Sequence, residues 1–173
     1  MKTNIKVFFL LIFSFAITGC NNATNGKVTG GGTIASAAGE GKANFGFNGD
    51  SCSGQVTGKF NFHDKDFGAE TGGVKMNGTV KATDHCVASG TGTKLNTMCS
   101  QCANGYLITL DYKSTNPKKK GNGSAMACVK DNGQGMKATS SDSIWVKVTS
   151  GPYSGYNNNG NVQGNIKAHS CDE

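Results

Sequence analysis

Short runs in which apolar and polar residues alternate recur along this chain, and they constrain its fold more than any other feature. In Lys59-Phe-Asn-Phe62, the two phenylalanines fall on one face of an extended segment. In Ile144–Val148 the aliphatic residues share one side, which leaves Trp145 on the other side with Lys147. A period of two residues is typical of half-buried β-strands, and helical periodicity is almost absent. The pattern therefore predicts an all-β fold.

Turn signals separate these runs, for example Asn48-Gly49, Asn104-Gly105 and Asn157–Gly160. Asn and Gly adopt positive φ at low steric cost, so such clusters close hairpins. We predict a single antiparallel β-sandwich or partly open barrel of about eight strands, stapled by disulfides. Its first and last strands share the G-x-V-x-G pattern, and we expect them to lie side by side. The predicted strands are Lys27–Ile34, Lys42–Asn48, Gln55–His63, Val74–Thr83, Tyr106–Tyr112, Ser124–Lys130, Ser143–Thr149 and Val162–His169.

Residues 1–19 have the features of a secretory signal peptide. A basic start precedes the apolar run Val7–Ile17, which is too short to span a bilayer as a helix. The run ends in Ile17-Thr18-Gly19-Cys20, which resembles the lipobox of bacterial lipoproteins. This resemblance implies cleavage before Cys20 and acylation of its thiol. More than one acyl chain on one residue gives stable membrane attachment.

The same resemblance bears on the location of the protein. It implies a lipid-anchored protein of the cell envelope, and Asn21 after the cysteine implies sorting to the outer membrane. We expect residues 20–26 to form a short polar tether and residues 27–173 to form one all-β domain. The membrane, reached through the lipid on Cys20, is therefore an expected partner.

The number of cysteines agrees with this assignment. Once Cys20 is assigned to lipid, six of the seven cysteines remain. An even number in an oxidising compartment predicts three disulfides, for which 15 connectivities are compatible with the sequence. The six cysteines are Cys52, Cys86, Cys99, Cys102, Cys128 and Cys171.

Two other uses of the cysteines stay open. Cys99-x-x-Cys102 has the spacing of thiol oxidoreductases, but a strand-like segment follows it rather than the helix that would lower the pKa of a reactive thiol. His85 and Cys86 could complete a zinc site with the same two cysteines, because the ligand types and spacing suit zinc. In an exported chain we favour structural disulfides, and we predict no metal ligand and no cofactor.

The glycine-rich segment that ends in Gly41-Lys42 invites comparison with a phosphate-binding loop. Such a loop needs G-x-x-x-x-G-K-[ST] followed by a helix. Here Ser36 occupies the place of the first glycine, Ala43 occupies the Ser/Thr position, and a strand-like segment follows. The segment is therefore interpreted as two strands and their connection.

No catalytic residue is predicted. His63 or His169 could form a hydrolytic site with Asp64, Asp66 or Asp142, but the chain has no G-x-S-x-G elbow. Two oxygen-rich segments, His63–Asp66 and Asp131–Gly135, could hold calcium, but they lack the twelve-residue ligand rhythm of an EF-hand.

Basic residues are all lysine, 17 in total, and the full chain has a net charge of +6. Without arginine, the planar fork that recognises phosphates and base edges is missing, so nucleic acid is not an expected partner. The lysine cluster Lys118–Lys120 follows Asn116-Pro117 and is interpreted as a solvated turn. Contact of this cluster with anionic lipid headgroups or glycans is the alternative.

Several segments together resemble a small β-domain of secreted bacterial proteins known as the post-COAP domain. They are Val28-Thr-Gly-Gly-Gly-Thr-Ile34, Gly41-Lys-Ala-Asn-Phe-Gly-Phe47, Phe60-Asn-Phe62, Asp131–Gly133 with Asp142–Ile144, and Gly160–His169. The resemblance spans nearly the whole mature chain. It implies an all-β extracytoplasmic module without assigned catalytic residues or ligand.

These observations favour a non-catalytic binding or surface-interaction module whose ligand is a glycan or a protein. Exposed aromatic side chains on β-scaffolds often contact ligands, so Tyr153, Tyr156 and Trp145 are the candidate binding residues. The alternative is an inhibitor or accessory lipoprotein of an envelope hydrolase. A hydrolase that uses His63 or His169 is the third hypothesis.

Overall fold

A computed structural model describes residues 23–87, 99–133 and 141–171 of the chain. The signal peptide, Cys20 and Asn21 lie outside these ranges. The described residues form ten β-strands and the short 3₁₀ helices Ala69–Thr71 and Cys99–Cys102. The strands are β1 (Ala23–Asn25), β2 (Lys27–Ala35), β3 (Lys42–Asp50), β4 (Thr57–Asp64), β5 (Val74–Cys86), β6 (Gly105–Ser114), β7 (Asn122–Lys130), β8 (Ser143–Val148), β9 (Asn157–Asn161) and β10 (Gln163–His169).

All the strands belong to one antiparallel sheet that curls into a nearly closed barrel, which confirms the predicted all-β fold. The order of hydrogen-bonded neighbours is β10-β2-β3-β4-β5-β6-β7-β8-β9. β1 pairs separately with the end of β5, with Ala23 opposite Cys86. The expected tether over residues 20–26 is therefore wrong for Ala23–Asn25, because this segment gains backbone hydrogen bonds as a strand.

The last strands close the barrel. β9 pairs with β8 at one end of the sheet, and β10 pairs with β2 at the other end. Only Val162 separates β9 from β10 in the sequence. Where β9 approaches β2, the side-chain amide of Asn158 donates a hydrogen bond to the backbone carbonyl of Ala35 (3.0 Å). The expected adjacency of the first and last predicted strands is confirmed. The expected turn at Asn157–Gly160 is wrong, because pairing with β8 holds this segment extended.

Two carboxylates cover the edge of β10 that has no strand partner. The Ile166 amide donates to Asp142 Oδ2 (2.7 Å) and the Ala168 amide donates to Asp131 Oδ2 (3.0 Å). The other oxygen of each carboxylate accepts a backbone amide from residue 132 or 133. The described part of the predicted calcium segment, Asp131–Gly133, thus has a structural role. Gln134 and Gly135 lie outside the described residues.

Aromatic rings fill the barrel beneath β3 and β4. Phe45, Phe47 and Phe60 stack in sequence, with ring centroids 6.1 and 5.8 Å apart. Burying one such ring stabilises the fold by roughly 1.5–3 kcal/mol. Gly30 on β2 makes room for them, since a Cβ atom there would lie 2.8 Å from the ring of Phe47. The other large, fully buried side chains are Ile34, Met76, Leu107, Ile108, Leu110, Ile144, Ile166, Val28, Val129, Val146 and Val148.

The disulfides are Cys52–Cys171, Cys86–Cys99 and Cys102–Cys128, so the predicted pairing of all six cysteines is confirmed. The two cysteines of Cys99-x-x-Cys102 bind partners on different strands, β5 and β7, and not each other. The redox and zinc hypotheses are therefore wrong for this oxidised state, because neither sulfur is a free thiolate. Leu107, Met126 and Trp145 pack against the second and third disulfides on the outside of the barrel.

The barrel has two distinct ends. Lys27 at the start of β2 lies beside Asp50 and His169, and Ala23 lies beside Cys86. This end, which carries β1 and all three disulfides, is called the N-terminal end. The opposite end is called the loop end, because four connections meet there: residues 36–41, 65–73, 115–121 and 149–156.

Candidate functional site

A groove of about 340 Å³ lies on the outer wall of the barrel across β3, β4 and β5. Two rows of outward-facing residues form it. In the first row Asn44 lies opposite His63, which lies opposite Lys75; in the second row Gly46 lies opposite Asn61, which lies opposite Asn77. We call it the amide groove and define it by the seven residues Asn44, Gly46, Asn61, His63, Lys75, Asn77 and Thr115.

Gly46 creates the depression at the centre of the groove. A Cβ atom built at this position would have no heavy atom within 4 Å. The adjacent residue on β2 is also a glycine, Gly31, so no side chain covers the recess from that side. A larger residue at position 46 would thus fill the groove without displacing the strands.

Three asparagine side-chain amides line the groove. Among the described residues, no side-chain hydrogen bond involves Asn44, Asn61 or Asn77. Asn48 on the same face differs, because its side-chain Oδ1 accepts a hydrogen bond from the backbone amide of Lys59 (3.0 Å). Asparagine is depleted in strands, so strand propensity does not explain these positions. Each free amide offers two donors and an acceptor to a ligand.

His63 and Lys75 form the more polar end of the groove. Burial and then the adjacent Lys75 ammonium lower the pKa of His63 below its ordinary value, so the imidazole is neutral at pH 7. Its Nε2 atom is shielded from solvent and has no hydrogen-bond partner among the described residues. Because Nε2 is shielded, a bound hydroxyl can contact this ring through Nδ1, which donates or accepts according to the tautomer of the neutral imidazole.

A second recess, of about 250 Å³, opens at the loop end. Phe67 forms its most prominent wall, with 40% of its surface exposed and its ring packed edge-on against Tyr156 (centroids 5.0 Å apart). Lys119 supplies a cation at the rim. We call it the loop-end cleft and define it by Phe67, Val74, Lys119, Pro152, Tyr153 and Tyr156.

The expected exposure of Tyr153 and Tyr156 is wrong. Their relative exposures are 5% and 3%, and both rings belong to the core. The Tyr153 hydroxyl accepts the Lys75 amide (3.2 Å) and lies 2.8 Å from Ser114 Oγ. Hydrogen bonds to distant strands thus draw both side chains inward, and only parts of them line the loop-end cleft.

Tyr156 reaches Asp64, which is fully buried. The Asp64 carboxylate accepts hydrogen bonds from the Tyr156 and Ser36 hydroxyls and from the backbone amides of residues 37, 66 and 67. Burial raises the pKa of Asp64, but these hydrogen bonds outweigh it and hold the pKa below its ordinary value. Burial and the Asp64 carboxylate raise the pKa of Tyr156. Asp64 is therefore a structural anion and not a free calcium ligand or catalytic partner.

Trp145 faces outward on β8, as predicted. It lies opposite Cys128 on the neighbouring strand, and its ring is partly buried against the disulfides. Its indole nitrogen donates to Asn157 Oδ1 (2.6 Å). Trp145 thus lies on a different part of the wall from the amide groove, which β3, β4 and β5 form.

The two histidines of the hydrolase hypothesis lie far apart in the fold. His63 lies in the amide groove, whereas His169 ends β10, where its Nε2 is 3.3 Å from Thr29 Oγ1. Neither forms a hydrogen bond with a serine or a carboxylate within the described part of the chain. The described part of the chain contains no group of three or more histidine, cysteine or acidic side chains arranged to hold a metal ion.

Sequence reasoning missed the amide groove, because its members come from three strands and meet only through their register. A signal was present: asparagines at outward positions of consecutive predicted strands, with a glycine between them. Such residues weaken strands, and a chain that places several of them on one face is a candidate for ligand recognition.

Fold and groove together define the class: a disulfide-linked, antiparallel β-barrel with a polar recess on its wall. Searches against protein-family models, curated proteins and solved structures found no significant match to the chain. The resemblance to the post-COAP domain stays a prediction. Across residues 23–87, 99–133 and 141–171, no helix is long and apolar enough to cross a membrane.

Proposed function

We propose that this protein is a lipid-anchored, non-catalytic binding protein of the bacterial cell envelope, and that its amide groove holds a glycan. The observation that carries the proposal is a set of three asparagine amides that have no hydrogen-bond partner among the described residues and that surround the open space above Gly46. Convergent polar groups in a recess are the usual form of a site for a polar ligand.

Glycan chemistry fits this groove better than an apolar ligand does. A sugar presents adjacent hydroxyl groups that both donate and accept, and an asparagine amide can pair with two of them. Asn61 and Asn77 lie directly opposite each other on neighbouring strands, which are about 4.8 Å apart. Their amides can therefore reach neighbouring hydroxyls of one sugar unit.

The predicted lipid anchor suits this role. Only two residues separate Cys20 from Ala23 at the N-terminal end, and they span on the order of 10 Å when extended. The groove includes Thr115, which follows β6 at the loop end. The barrel thus presents the groove on its membrane-distal half, and Lys118–Lys120 face away from the anchoring membrane. This disfavours contact of that cluster with the headgroups of the same membrane.

The test is binding of the mature chain to an array of bacterial envelope glycans. Gly46→Leu should abolish retention, because the new side chain fills the groove, and Asn61→Ala should weaken it by about tenfold, the loss of roughly one ligand hydrogen bond. Asn159→Ala on β9 is the matched control and should bind like the wild type. Equal retention of Gly46→Leu and the wild-type protein would refute the glycan site.

A second candidate function, an accessory protein or inhibitor that docks on an envelope hydrolase, is favoured by one observation. Phe67 projects from the loop end with 40% exposure beside Lys119. An exposed aromatic next to a recess is a common anchor in protein interfaces. If this function holds, Phe67→Ala should release a stoichiometric hydrolase from a pull-down while Gly46→Leu retains it.

A further inference from the structure

The groove-lining residues that can carry charge are all basic. Lys75 and His63 are the groove residues that can carry charge, and no carboxylate lines the groove. No aromatic ring lies flat on this wall as a stacking platform, because Phe45 and Phe62 point into the core. Affinity for a sugar must therefore come from hydrogen bonds and charge.

His63 and Lys75 lie directly opposite each other on β4 and β5. Protonation of His63 would place two positive charges opposite each other, which is unfavourable in a cross-strand pair, so the imidazole stays neutral at pH 7 beside the Lys75 ammonium. The surrounding charges do not cancel this effect within the groove. Asp64 is fully buried and its carboxylate is occupied by five hydrogen bonds, while Asp66 is offset by Lys65. An anion that binds beside Lys75 would offset the ammonium charge and favour protonation of the imidazole, which would then donate a second charge-assisted hydrogen bond to the anion.

The second row of groove residues lies next to the first row on the same outer face of β4 and β5. Asn61 and Asn77 are each two residues from His63 and Lys75, a distance of about 7 Å along an antiparallel strand. This spacing is comparable to the width of one sugar ring. A ring that places a carboxylate on the first row can therefore place its hydroxyl groups on the second row.

We propose that the amide groove selects acidic saccharides, with the carboxylate of a hexuronic acid unit between Lys75 and His63 and its ring hydroxyls on Asn61 and Asn77. The inference rests on the proposed glycan-binding function and narrows its ligand to one chemical class. Gly46 leaves the space that the ring occupies.

The experiment is titration calorimetry of the mature chain with oligogalacturonate and with the same oligomer after reduction of its carboxyl groups. We expect the acidic oligomer to bind at least tenfold more tightly. Lys75→Gln should remove most of this preference, whereas Lys59→Gln, on the same face but outside the groove, should keep it. Unchanged melting temperatures establish that both variants are folded.

The outcomes separate the two proposals. Equal affinity for both oligomers, with loss of both in Gly46→Leu, would overturn the acidic selectivity and leave the glycan site intact. Failure of both oligomers to bind the wild-type chain would overturn the acidic selectivity, and the array experiment then decides the glycan site independently. A preference that survives in Lys75→Gln would also overturn the assignment of the carboxylate to this lysine.

Discussion

The Tyr156 hydroxyl donates a 2.8 Å hydrogen bond to the buried carboxylate of Asp64, across 92 positions of sequence. This contact joins the end of β4 to the loop that precedes β9. It therefore joins the connection 149–156 to the strand end from which the connection 65–73 begins, beside the loop-end cleft that Tyr156 lines.

Removal of this hydroxyl should weaken the fold. We expect Tyr156→Phe to lower the free energy of unfolding by about 1.5–3 kcal/mol, because a hydrogen bond to a charged, buried acceptor is lost. Tyr106→Phe is the matched control, since its hydroxyl bonds to no described residue, and it should change stability by less than about 0.5 kcal/mol. Urea unfolding measures both. Equal stabilities of the two variants would contradict the role of the Tyr156–Asp64 contact.

Asp64 should also give the protein an acid-sensitive stability. Its folded-state pKa lies below the ordinary value of about 3.9, because hydrogen bonds outweigh burial. The stabilisation is therefore fully present above about pH 5, begins to fall near the unfolded-state value, and is lost as the pH falls through the folded-state pKa. We expect this part of the pH dependence to disappear in Asp64→Asn. Unfolding curves between pH 2 and 6 test this, and identical slopes for variant and wild type would refute it.

The sequence predicted the strands well where the pattern is local, and less well where distant partners decide. Alternation located β4 and β8. The turn expected at Asn48-Gly49 is wrong, because both residues lie in β3 and pair with β4, and the connection covers residues 51–56. At Asn157–Gly160 the same turn chemistry misled, since pairing with β8 is a long-range effect. Tyr153 and Tyr156 lie in a segment rich in Gly, Pro and Ser, yet Ser114 and Asp64, which are 39 and 92 residues away, draw them into the core.

The Cys52–Cys171 disulfide should stabilise the fold mainly by restricting the conformations of the unfolded chain. It closes a sequence separation of 119 residues, and Cys171 is exposed, so its removal leaves no core cavity at that residue. We expect the double variant Cys52→Ser/Cys171→Ser to lose roughly 4–5 kcal/mol of stability, as chain-entropy arguments predict for so long a loop. Guanidinium unfolding measures the loss. A loss below about 1 kcal/mol would contradict the entropic argument.

Two glycines on neighbouring strands should respond differently to the same substitution. At Gly30 a new methyl group would lie 2.8 Å from the Phe47 ring and 3.0 Å from the Asn165 carbonyl oxygen, whereas at Gly46 it would meet nothing within 4 Å. Gly30→Ala should therefore destabilise the barrel by about 1–3 kcal/mol through overpacking. Gly46→Ala should be neutral or slightly stabilising. Thermal unfolding of the pair checks this, and the reverse order would contradict the assigned close approach.

If the groove binds acidic saccharides, its affinity for them should depend on pH, and the titration of His63 determines the direction of that dependence. Burial and Lys75 lower the pKa of this histidine below about 6.5 in the free protein, with Lys65 acting in the same direction and Asp64 and Asp66 opposing it. A bound carboxylate favours the imidazolium and raises that pKa in the complex. Affinity for oligogalacturonate should therefore increase as the pH falls from 7.5 to 5, by about tenfold for each unit by which binding raises the pKa.

The carboxyl-reduced oligomer and the variant His63→Gln provide the two controls for this pH dependence. Neither should show a tighter complex at pH 5, because the first lacks the anion and the second lacks the titrating ring. If the reduced oligomer gained affinity in the same way, the proton would be taken up elsewhere and the carboxylate would not lie at His63. If only the acidic oligomer binds more tightly at pH 5, and only when His63 is present, then His63 takes up the proton and the ligand carboxylate lies beside it, between β4 and β5.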